Sequence, residues 1–172
     1  GHGGTLNPIP FIAEVKKFFK KTILLSGCIS SGRDIASALQ MGADLAYLGT
    51  RFINTTESKA DEKYKEMIIE SKAGDIVYTA AVSGVNANFL RPSLEAMGIT
   101  EDMWGDSKKI DFGDELDAAQ AEAKAWKTIW SAGQGVTSIE DCPSTKDLID
   151  RLKKEFISSI KMNLPPESVK FL

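Results

Sequence analysis

"LLSGCISSGRDIASALQMGADLAYLGTRF", residues 24–52, contains two short apolar runs that each end at a glycine, with a capped amphipathic segment between them. "TILLS" (22–26) has the pattern of a strand buried on both faces of a parallel sheet, and "DLAYLG" (44–49) is the next strand. Between them, Ser31 and Asp34 have the spacing of a capping box, with Asp in the place usually taken by Glu. Gly42 stands where a left-handed residue ends a helix.

Working outward, residues 10–20 read as a helix with Ile12, Val15 and Phe19 on one face, and residues 58–71 as another with Ala60, Tyr64, Met67 and Ile68 inward. Alternation of helix and strand at this spacing means right-handed crossovers and a parallel sheet. "DIVYTAAVSG" (75–84) reads as one further extended segment. "VNANFLRPSLEAMGITEDMWGDSKKIDFGDE" reads as a loop-rich excursion in which Phe89, Trp104 and Phe112 anchor the loop to the core. Two helices close the chain, about 115–131 with Trp126 and Trp130, and about 144–162 with Ile149, Leu152, Phe156 and Ile160 in register. A parallel sheet of two strands leaves open edges and an uncovered face, so the pattern reads as part of a larger fold.

Among its 172 residues, 42% are hydrophobic and 26% charged, and the net charge is −3. This balance gives no general attraction to nucleic acid or to an anionic membrane, and neither is expected as a partner. The run "KKFFKK" (Lys16–Lys21) is expected to be a solvated helix face with Phe18 or Phe19 turned inward. No run reaches the ~18 apolar residues of a membrane span, and no secretion signal is visible. Cys28 and Cys142 are expected as free thiols in a reducing cytoplasm, and with a single histidine they supply no metal-ligand spacing.

At the carboxyl end of a parallel strand, glycine lets a ligand approach the backbone amides closely. Those amides and the N-terminus of the next helix favour an anion. "SGCIS" and "LGTR" are two such turns on consecutive strands, and Thr50 adds a hydroxyl donor. Read from the residues alone, ordinary tight turns and a shared phosphate site fit equally well. Arg33 and Arg51 follow the turns and are expected to pair outward with carboxylates.

The stretch "SGCISSGRDIASALQMGADLAYLGTRF" resembles the last two β–α units of the nitronate monooxygenase (2-nitropropane dioxygenase) family. "GHGG" at the start, "SGVNANFLRPSLEAMGI" and "WKTIWSAGQGV" also resemble that family, in the same order. The resemblance implies an α/β fold, the C-terminal part of an FMN-binding TIM (β/α)8 barrel with a loop-rich and helical insertion and C-terminal helices. Residues 1–72 would be the last barrel units, 73–115 the segment covering the active site, and 116–172 the helices packed on the barrel. Gly27 and Cys28 would form one FMN-phosphate turn, with Cys28 standing where the family typically has glycine. Leu48, Gly49 and Thr50 would form the other, and Gly1 would lie beside the flavin. His2 would be the catalytic base that takes the acidic α-proton of a nitroalkane.

The substrates implied are nitronates or nitroalkanes with O2, and the first half of the barrel becomes an implied partner, with a homo-oligomer also compatible. The isolated segment is expected to be inactive. Two other readings share the turns: an FMN-dependent enoyl-ACP reductase of the related barrel type, and a non-catalytic phosphate-binding half-barrel.

Overall fold

The computed structural model describes residues 1–82, 84–104 and 129–161. The first helix, α1 (Pro8–Phe18), starts where Asn7 accepts a hydrogen bond from Ile9 N and proline occupies the first turn. Strand β1 (Leu24–Ser26) pairs in parallel with β2 (Leu45–Tyr47), in the register Leu24 to Leu45 and Ser26 to Tyr47. Helix α2 (Gly32–Met41) makes the crossover. Both bonds of its capping box form, Asp34 N to Ser31 Oγ at 3.1 Å and Ser31 N to Asp34 Oδ2 at 2.9 Å. Gly42 ends it at φ 107°.

The short helix α3 (Thr50–Ile53) follows β2 directly, and α4 (Glu62–Glu70) buries Ile68 with Tyr64 and Met67 packed beside it. The order helix, strand, helix, strand, helix is therefore observed.

The sheet has only one covered face. Leu25 packs with Ile12, Ile29, Ala38 and Ala43 beneath α1 and α2, whereas Leu24, Leu45 and Tyr47 on the opposite face are 50%, 53% and 58% exposed. Burial of "TILLS" on both faces is thus corrected. Strand alternation sends residues 24 and 26 to one side and 25 to the other, and among the described residues only that second side is covered. Leu6, Ile9 and Phe11 are also exposed. The expectation for "KKFFKK" is corrected as well: Phe18 and Phe19 are 76% and 40% exposed, because the helix buries a narrow stripe centred on Ile12.

The extended segment expected at 75–84 contains a strand, Ile76–Thr79, and the excursion that follows it is more regular than its composition indicates. Strand β3 (Ile76–Thr79) pairs antiparallel with β4 (Ala87–Leu90), and α5 (Arg91–Ala96) and α6 (Glu101–Trp104) follow. Phe89 lies wholly in the core beside Val77, Leu94 and Ile129. Trp104 packs against this cluster with the Arg91 guanidinium 4.7 Å above its ring. Both aromatics are anchors, as expected. Phe112, the helix expected at about 115–131 up to residue 128, and the chain beyond 161 lie outside the described residues.

The last described helix, α7 (Thr145–Ile160), buries Leu152 and half-buries Phe156 as expected, but Leu148 is buried in place of Ile149, and Ile149 and Ile160 are exposed. It packs on α2 through a glycine contact. A Cβ on Gly32 would lie 2.1 Å from Leu152 O and 2.4 Å from Phe156 N. No described helix is long and apolar enough to cross a membrane.

Candidate functional site

The carboxyl ends of β1 and β2 open into a cavity of about 320 Å³ bordered by Gly27, Cys28, Gly49, Thr50 and, from the start of the chain, Gly1 and His2. A second cavity of about 440 Å³ adjoins it and shares Gly1, His2, Ser26, Gly27 and Cys28. Both volumes fall in the ordinary range for small-molecule sites. The two glycine turns, far apart from His2 in sequence, therefore meet at one place. Leu48 contributes only its backbone to the second turn, because its side chain packs into the α1–α2 core.

Close backbone contact builds the first turn. Gly27 is at φ 104°, and a Cβ there would lie 2.6 Å from Gly1 N. Cys28 follows at φ 58°, the single described non-glycine residue with positive φ. An L-residue pays roughly 1–2 kcal/mol to sit there, so the departure from glycine at this position carries backbone strain. The amide of Cys28 still lies in the turn, and its thiol is exposed.

A third wall comes from residues 131–136. Gly133 N donates to Thr50 Oγ1 at 3.2 Å, and Ser30 Oγ donates to Gly135 O at 2.9 Å. A Cβ on Gly133 would meet Gly1 Cα at 3.0 Å, and one on Gly135 would meet Cys28 Cα at 3.2 Å. The glycines of "SAGQGV" are thus required by close approach. Because Thr50 Oγ1 accepts from Gly133, its own O–H remains a donor for another acceptor. Ser131 holds this wall in place through a bridge to Phe89, and its carbonyl accepts from the Tyr64 hydroxyl. Tyr64 stacks on Trp130 at 5.2 Å, and burial pushes its hydroxyl up to about 12.

The helix after the first turn has its amides engaged by the protein itself. Ser30 N and Ser31 N donate to Asp34 Oδ2, and Gly32 N donates to Glu155 Oε2 at 2.7 Å. An anion in the cavity therefore relies on the turns and on Thr50 more than on the N-terminus of α2. Arg51 is buried rather than outward. Its guanidinium donates to Asp141 O and to Asp141 Oδ1 at 2.7 Å. A hydrogen bond from Arg151, and then the charges of Arg151 and Arg51, hold the Asp141 carboxyl below its usual range. Arg33 is exposed on α2. No aspartate, glutamate, lysine or arginine is among the described residues lining the 320 Å³ cavity. The donor set there is backbone amides, hydroxyls and an imidazole, which suits a phosphate group.

His2 is exposed at the mouth, with its ring edge-on to Phe89 at a centroid distance of 6.5 Å and an interplanar angle of 80°. The loop that carries it is tied to β4 by Asn88, a contact the sequence did not signal. Asn88 N donates to His2 O at 2.7 Å, and Asn88 Nδ2 donates to Gly4 O at 2.9 Å and to Gly1 O.

The same architecture occurs in solved structures. FabK from Thermotoga maritima superposes with a TM-score of 0.71 at 24% identity, covering 100% of this chain and 54% of its own. Nitroalkane oxidase from Streptomyces ansochromogenes superposes with a TM-score of 0.66 at 25% identity, covering 90% of this chain and 45% of its own. The family model for nitronate monooxygenase matches residues 1–155. The nitronate monooxygenase of Paraburkholderia phytofirmans is 31% identical over 176 residues, which is 94% of this chain and 47% of that protein. The chain belongs to the nitronate monooxygenase family. It spans about half the length of that relative.

Proposed function

We propose that this chain carries the C-terminal part of an FMN-dependent (β/α)8 barrel that oxidises alkyl nitronates or nitroalkanes with O2. Residues 1–72 then form the last barrel units, 73–115 the cover over the site and 116–172 the closing helices. The observation that carries this reading is the convergence of His2 with both glycine turns on one cavity. Gly27, Cys28, Gly49 and Thr50 would hold the FMN phosphate, and Gly1 would lie alongside. The fit rests on a lining without carboxylates and on open space where a Cβ of Gly49 would stand. The exposed apolar face of Leu24, Leu45 and Tyr47 would pack on the remaining barrel strands.

His2 has the chemistry of a general base. A nitroalkane carries an acidic proton on the carbon beside the nitro group. Transfer of that proton to a ring nitrogen of His2 leaves the nitronate anion and an imidazolium, so charge is conserved and opposite charges stay adjacent. The Phe89 ring and the Asn88 bonds limit where the ring and its loop can go. Bound FMN supplies the redox chemistry, with O2 as the final acceptor.

Anaerobic addition of an alkyl nitronate to the flavin-loaded barrel, completed by its first half, is expected to change the flavin absorbance, while NADH and NADPH leave it unchanged. Rapid bleaching by either nicotinamide, reversed by an enoyl thioester, would replace this reading with that of an enoyl reductase.

A further inference from the structure

We propose that Asn88 is the positioning residue for His2, a role that rests on the reading of His2 as the base. Residues 1–5 have no regular secondary structure, and glycine occupies positions 1, 3 and 4. A Cβ on Gly3 or Gly4 would meet nothing within 4 Å, whereas Gly1 lies against Gly27 and Gly133. Such a segment has unusual conformational freedom, yet a base must be held close to its target to act.

Asn88 supplies the restraint from a strand. It sits in β4, paired opposite Tyr78, and is 4% exposed. Its main-chain N–H takes the His2 carbonyl, and its carboxamide nitrogen takes the Gly1 and Gly4 carbonyls on either side. One residue thereby fastens three of the first four carbonyls of the chain. The side chain is chemically suited to this, because an amide nitrogen has two N–H donors and spends one on each carbonyl. Aspartate at the same place offers only acceptors to two carbonyl oxygens, and leucine offers nothing. The next residue, Phe89, meets the His2 ring, so β4 sets both the loop backbone and the ring.

The test uses NMR of the purified protein, with the His2 ring signals assigned by their loss in His2→Gln. In Asn88→Leu, which keeps the volume and removes the carboxamide, the His2 ring signals are expected to shift and narrow towards those of a free histidine. In the barrel completed by its first half, neutral nitroalkane turnover is expected to fall about 10²-fold further than turnover of the preformed nitronate, the loss typical of a misplaced catalytic group. Asn88→Ser, which keeps one donor, is expected to fall between.

Unchanged ring signals in Asn88→Leu would overturn the proposal. Shifted signals with no selective loss of nitroalkane turnover would uphold the anchoring and overturn the base role of His2 instead. If Asn88→Leu does not fold, exchange of the Asn88 side-chain amide protons in the unaltered protein decides. Protection of at least about tenfold over an exposed carboxamide is expected for a 4% exposed side chain that donates two hydrogen bonds, and exchange at the exposed rate overturns the proposal.

Discussion

Gly32→Ala is expected to destabilise the protein by about 3 kcal/mol, at the upper end of the overpacking range, or to prevent folding. Gly32 opens α2 at its closest approach to α7. A methyl group there would lie 2.1 Å from Leu152 O, 2.4 Å from Phe156 N and 2.6 Å from Glu155 Cβ. Two of these atoms are backbone within a helix and cannot rotate away, so relief requires α7 to move as a body. That movement would also break the bond from Gly32 N to Glu155 Oε2 and expose Leu148 and Leu152, which are 1% and 7% exposed. A urea or thermal unfolding curve measures the loss. A change of less than about 1 kcal/mol, below that range, would mean that the two helices do not meet at Gly32.

In the barrel completed by its first half, His2→Ala is expected to lower turnover of neutral nitroalkanes by roughly 10²–10⁴-fold, the usual contribution of a positioned general base. The same variant supplied with preformed nitronate is expected to lose at least about tenfold less, because the proton has already left the substrate. Comparing the two substrates separates proton abstraction from damage to flavin binding, which would depress both equally. Equal losses would show that His2 holds the site together without acting as a base. No loss with either substrate would remove His2 from the chemistry altogether.

The features legible in the sequence are those decided over a few residues. Ser31 with Asp34, Gly42 and the short apolar runs located α2, β1 and β2, since capping and termination depend on near neighbours. The turns after both strands were visible for the same reason. What remained hidden depends on which surfaces meet. Leu148 and Ile149 both suit the helical period of α7, and only the contact with α2 selects Leu148. All four residues of β4 are buried, so "ANFL" shows no alternation by which to read it as a strand.

Asn88 reaches Gly4 across 84 residues of sequence, and a single asparagine in a short apolar run announces nothing of that. Cys28 was visible as a departure from glycine, but the strain it carries follows only from its φ of 58°. Arg51 was expected to find a carboxylate at the surface. It pairs with the half-exposed Asp141 while its own side chain is buried, because residues 133–141 fold back over α3, and that closure joins residues far apart in the chain.

The central claim, that the two glycine turns hold the phosphate of FMN, is tested most directly by titrating the protein with FMN and with riboflavin, which lacks the phosphate, and following flavin fluorescence. Hydrogen bonds to a charged group contribute about 1.5–3 kcal/mol each, so two from the turns give FMN roughly a hundredfold or greater advantage. That advantage is the result expected, and it should shrink in Thr50→Val. Equal affinity for FMN and riboflavin would contradict the account and show that the turns after β1 and β2 are turns alone.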